Sequence, residues 1–110
     1  MKNTEVVDTT SKYIVKSTGI GSETDEELVN ANDLTGGTNQ SKVSLIECYH
    51  LIEGTGTLTI SAGNEKLLLT GKGKYGLRPG QLKFGNDEQF TLTTDGNVNS
   101  YLLVTEFRRN

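Results

Sequence analysis

Cysteine, proline and histidine each occur once among 110 residues, and each scarcity closes a door. A lone Cys48 excludes an intrachain disulfide, and together with a lone His50 it cannot assemble a Cys/His zinc cage. No apolar run nears the ~20 residues of a membrane-crossing helix, and the opening MKNTEVVDTT lacks the apolar stretch of a secretory signal, so a cytoplasmic location is expected. Positive charge is in the minority. Eleven basic against 14 acidic residues give a net charge of −3, which leaves no field to attract phosphate backbones or anionic lipid, and neither nucleic acid nor membrane is expected as a partner. The triplet Asn39-Gln40-Ser41 fits a glycosylation acceptor, but such triplets arise by chance and nothing else points to secretion. Hydrophobic residues are also sparse, at 33%, and the length suits one domain with a lean core.

Glycine, at 13 residues, and threonine are plentiful, and they punctuate and fill what reads as an all-β chain. Lys42–Ile52 alternates in two interleaved sets: Val43, Leu45, Glu47, Tyr49, Leu51 and Ser44, Ile46, Cys48, His50, Ile52. Both sets are mostly apolar. Glu53-Gly54-Thr55-Gly56 supplies a turn, Thr57–Ile60 a strand, Ser61–Glu65 a turn around Gly63-Asn64, and Lys66–Thr70 another strand. Gly71-Lys72-Gly73-Lys74 reads as a basic turn and lacks the spacing and following helix of a phosphate loop. Arg78-Pro79-Gly80 fits a type II turn. Leu82 and Phe84 alternate after it, Gly85–Glu88 reads as a polar loop, and Phe90 with Leu92 as a strand. Ser100–Phe107, apolar on both faces, is expected to be central or covered by a partner. Residues 1–33 are less regular: Tyr13-Ile14-Val15 reads as a strand, and the acidic run Glu23-Thr24-Asp25-Glu26-Glu27 as a solvated loop.

From Glu47 to Phe84 the sequence resembles the cupins. Glu47, six residues and Gly54 match the second half of their first motif, Leu51–Ile60 looks like its turn and following strand, and Leu77-Arg78-Pro79-Gly80-Gln81 looks like their Pro-Gly turn. Ile46-Glu47-Cys48-Tyr49 is also similar to wording in ectoine synthases, and polyketide cyclases and sugar-nucleotide isomerases of cupin type share much of it. The resemblance spans residues 34–106 and implies a double-stranded β-helix, a cupin or jelly-roll barrel, preceded by an irregular N-terminal strand and loop. It also implies four metal ligands, and there the sequence departs: the two histidine positions fall on Ser41 and Val43, and the distal one near Gln89. One carboxylate and an amide make a poor transition-metal site, so no metal and no cofactor is expected.

Within that barrel Glu47 is the expected general acid or base, because its alternating set should line the interior, where an isolated charge is costly. Tyr49, two residues on, would point the same way as its hydrogen-bonding partner. Ser41, Tyr75, Gln89 and Tyr101 are candidates for contacting substrate, while Asp87, Glu88 and Arg78 read as rim or surface residues. His50 and Cys48 share the other face, expected to point outward. A metal-independent enzyme for cyclisation, dehydration or isomerisation of a small molecule is one reading. A non-catalytic small-ligand or sugar-binding barrel is another, and an interaction protein built on two-faced apolar strands a third. The apolar strand Tyr101–Val104 and Ile46 suggest a homodimer.

Overall fold

β-Branched and aromatic residues alternating with polar ones organise nearly the whole chain into extended backbone. The computed structural model describes residues 1–76 and 84–110. Its strands are β1 (Lys2–Asp8), β2 (Lys12–Ile20), β3 (Glu23–Asn30), β4 (Val43–Gly54), β5 (Leu58–Ala62), β6 (Glu65–Leu69), β7 (Lys72–Gly76), β8 (Phe84–Asp87), β9 (Gln89–Thr94) and β10 (Val98–Arg109), with one 3-10 turn at Ala31–Asp33. All pairings are antiparallel. One sheet runs β1-β2-β10-β4-β7, with β8 also on β4, and the other runs β3-β9-β5-β6. The partners are nested: β2 with β10, β3 with β9, β4 with β7 and β8, β5 with β6. That is a long antiparallel ribbon wound into two facing sheets, the jelly roll, with β1 as an added edge strand.

Three segments differ from their sequence reading. The acidic run lies in β3, the basic turn is β7 and the polar loop at Gly85 is β8. In each case the ladder hydrogen bonds of a neighbouring strand outweigh weak local preference. β3 also hides its period. Its register against β9 shifts twice, which brings the consecutive Leu28 and Val29 into the core while Thr24–Glu27 stay exposed on an edge strand. The N-terminal third is therefore regular, and β2 and β3 are integral to the two sheets. The Arg78-Pro79-Gly80 turn and Leu82 lie outside the described residues.

A bulge in β4 decides what faces inward. Glu106 pairs with Glu47, but the next residue, Phe107, pairs with Leu45, so Ile46 is the unpaired extra residue. Gly76 accommodates the bulge: it adopts a φ of 93°, and a Cβ there would lie 2.1 Å from the Ile46 carbonyl oxygen. Val43 and Leu45 point inward before the bulge, and Cys48, His50 and Ile52 point inward after it, all buried. The two alternating sets of this strand each face the core for half its length.

Large apolar side chains pack between the sheets. Phe90, Phe107, Leu28, Leu45, Leu58, Ile60, Leu92 and Leu103 are fully buried. Phe90 meets Phe107 edge-on at 4.9 Å between ring centroids and Phe84 at 5.9 Å. At that end of the sandwich Arg109 ties three segments together. It donates to the carbonyls of Thr9 (2.8 Å) and Thr35 and stands 3.9 Å from Asp8, whose carboxylate accepts from the Thr35 N–H at 3.1 Å.

Candidate functional site

Among the described residues the interior does not bring the expected catalytic pair together. Glu47 and Tyr49, expected to line the barrel, lie on the outer face of β4, because the Ile46 bulge reverses the strand's parity. Cross-strand pairing sets them beside Glu106 and Val104 there, all four half-buried. His50 and Cys48, expected outside, are inside instead. The His50 Nδ1 donates to the Gly71 carbonyl at 3.0 Å, and β7 crosses tightly over the ring, since a Cβ on Gly73 would lie 3.2 Å from Nε2. Burial pushes the Cys48 thiol up to about 11, so at neutral pH it is a protonated filler and no nucleophile. Thr105 beside it carries a buried hydroxyl without a partner among the described residues.

The other sequence candidates do not converge either. Ser41 sits before β4, its hydroxyl accepting from the Thr38 N–H at 2.9 Å. Gln89 is exposed on β9 and donates to Glu27 at 3.0 Å. Tyr75 pairs with Cys48 and packs against the core from the inner face of β7. Of the positions where the cupin resemblance places metal ligands, Val43 is fully buried among apolar groups, Glu47 points outward, and Ser41 and Gln89 lie on separate segments. Among the described residues no group of three His, Cys, Asp or Glu could hold a metal ion. The residues present do not fit that metal.

Tyr101 is different, because it borders an open pocket of about 730 Å³ at the rim of the sandwich, lined also by Met1, Lys2, Thr18, Gly19, Ile20, Glu23 and Ser100. Local sequence explains its shape. Gly19 is the cross-strand partner of Tyr101, and the phenol ring lies flat over it: a Cβ on Gly19 would stand 2.6 Å from the Tyr101 hydroxyl and 2.7 Å from two ring atoms. The β2–β3 turn that follows is held by Thr94, whose buried hydroxyl accepts from the Glu23 N–H and donates to the Gly21 carbonyl, both at 2.8 Å. Gly21 takes the left-handed φ of 73° that the turn requires.

These constraints deliver the Glu23 carboxylate to the Tyr101 hydroxyl, which donates to its Oε2, while the N-terminal ammonium of Met1 donates to Oε1 at 2.5 Å. Burial, and then the hydrogen bond to Glu23, push the Tyr101 phenol far above its ordinary value near 10. It stays a neutral donor. The same carboxylate raises the Met1 amine above 8.0, keeping it charged. Chemically, the cluster is a fixed acceptor with two oriented donors, in a pocket that Thr18 and Ser100 also line. Such a cluster can bind and orient a ligand. Sequence reading missed Glu23 by treating it as part of a solvated run. The available signal was a glycine, Gly19, interrupting an otherwise regular strand, a mark of close approach by another group.

No family model matches the chain, and no curated protein matches it. A crystal structure of a cupin domain from Bordetella pertussis Tohama I is similar in fold: TM-score 0.47, 11% sequence identity, 99% of this chain and 92% of that chain covered. At that identity the likeness assigns no residue a role, and the jelly roll stands on this chain's own strand order. No helix among the described residues is long and apolar enough to cross a membrane.

Proposed function

We propose that the chain is a non-catalytic small-ligand-binding jelly roll whose ligand occupies the rim pocket around Glu23 and Tyr101. The single observation carrying this reading is the carboxylate held between a phenol and an ammonium at the wall of a 730 Å³ pocket, in a protein whose interior is filled by apolar side chains. Sites of this kind place a few convergent polar groups in a concavity of a few hundred Å³. A carboxylate acceptor in a pocket that Thr18 and Ser100 also line matches a polyhydroxylated molecule of the sugar class, which offers several donors and acceptors at close spacing.

Backbone amide spectra of the protein titrated with mono- and disaccharides to millimolar concentration test the reading. The expected result is saturable shifts confined to Thr18, Gly19, Ile20, Glu23 and Ser100, weakened at least tenfold by Glu23→Gln with the melting transition retained. Shifts at other positions, or none with any sugar tried, would overturn it.

A further inference from the structure

We propose that the outer face of the six-stranded sheet is an interface on which a second copy of this chain docks, with the strands of the two copies crossing near 90°. The face turned from the core of a two-sheet sandwich is normally polar. Here its two central strands break that rule: Leu51 pairs with Leu102 and Tyr49 with Val104, all half-buried, making a two-by-two apolar block in mid-face. No other strand of the described residues packs on that side, since β3, β9, β5 and β6 form the sheet on the opposite one.

The charges around the block identify the occupant. Across the strands it is flanked by lysines, with Lys16 paired to Val104 on one side and Lys74 paired to Tyr49 on the other. Along the strands it is bounded by carboxylates, with Glu106 directly opposite Glu47 at one end and Glu53 at the other. Like charges in direct cross-strand register are unfavourable, and among the described residues neither Glu47 nor Glu106 has an ion-pair partner. A surface with cations on one axis and anions on the perpendicular axis is complementary to itself after a quarter turn.

The two aligned arrangements fail by the same arithmetic. A dyad parallel to the strands sets Lys16 over Lys74 of the other copy, and a dyad across them sets Glu53 over Glu47. A diagonal dyad sets lysines over carboxylates and apolar block over apolar block, one of the two packing angles that sheets prefer. At about 4.8 Å per strand and 3.4 Å per residue, the lysine Cα atoms stand about 7 Å from the centre of the block and the carboxylate residues about 10 Å, a difference that a lysine stem spans. Four strands of seven to twelve residues and the five-residue β7 give a face on the order of 700 Å² in plan, close to the ~800 Å² of accessible surface that each partner of a stable dimer buries. Such an interface is isologous and closes on itself.

Sedimentation equilibrium and small-angle scattering between 1 and 100 μM test the proposal. The wild-type chain is expected at twice 12.0 kDa, and Val104→Asp at 12.0 kDa with an unchanged circular dichroism spectrum and a folded amide spectrum. Because a single variant could unsettle the sheet, a charge exchange provides the second arm. Lys16→Glu with Lys74→Glu in one chain, and Glu47→Lys, Glu53→Lys and Glu106→Lys in another, should each weaken self-association at least tenfold, and mixing the two should restore a heterodimer. A monomer at 100 μM, a dimer that survives Val104→Asp, or two charge variants that fail to pair on mixing while each stays folded would overturn it.

Discussion

Replacing Gly19 by alanine probes the rim site through sterics alone. The backbone there needs no positive φ, so strand propensity by itself favours alanine by about 0.5–1 kcal/mol. The new methyl would stand 2.6 Å from the Tyr101 hydroxyl and 2.7 Å from Cε1 and Cζ, well inside contact distance. Tyr101 is only 4% exposed and its hydroxyl is engaged by Glu23, so the ring yields only by leaving its place. Forcing an extra methyl into a packed site costs about 1–3 kcal/mol, and a lost hydrogen bond to a charged group adds about 1.5–3 kcal/mol. The net expectation is a loss of about 2–4 kcal/mol. Urea denaturation followed by far-ultraviolet circular dichroism measures it, with Tyr101→Ala and the double variant completing a cycle. In the double variant the methyl no longer meets the Tyr101 ring, so the alanine should become neutral or mildly stabilising and a coupling of about 2 kcal/mol or more should appear. A Gly19→Ala protein as stable as wild type, or additive single effects, would refute the account of how the site is built.

Three further outcomes follow from the same structure. Arg109→Ala should cost about 1.5–3 kcal/mol by thermal or urea denaturation, because one guanidinium serves the Thr9 and Thr35 carbonyls and faces Asp8, and Arg109→Lys should recover little of it. Cys48 should be silent to a thiol-specific chromogenic reagent in the native protein at pH 8 and should react at the rate of unfolding, since burial holds its thiol near 11; prompt labelling would contradict its placement. Stability should decline above pH 10. The unfolded chain then releases phenolic protons that folded Tyr101 keeps, so the unfolded state binds fewer protons and stability falls by up to about 1.4 kcal/mol per pH unit, a slope that Tyr101→Phe should flatten.

Strands β4, β5, β6, β9 and β10 were legible in the sequence because their turns carry glycine and their faces alternate, and the nested order of a jelly roll followed from the resemblance that these segments carry. Less legible were the places where pairing overrides local pattern. Nothing in Thr24–Glu27 announces a strand, since its side chains are solvated and two register shifts break its period; what makes it one is β9 alongside. Gly71-Lys72-Gly73-Lys74 reads as a turn for want of side chains that favour strands, yet small residues are what the crossing over His50 requires.

The candidate site moved for one reason, the single extra residue Ile46. An alternating strand assigns its faces by counting, and one bulge inverts every assignment on the far side of it. The apolar content of both sets in Val43–Ile52 is the trace of that inversion, because each set must fill the core for half the strand. The bulge thus accounts for two features together: a carboxylate that counting places inside lies outside next to Glu106, and the apolar residues that counting would bury, Tyr49 and Leu51, remain on the outer face beside Val104 and Leu102. A strand with surplus apolar residues on both faces carries information about a bulge, a covering partner, or both, and β4 supplies the physical grounds for each.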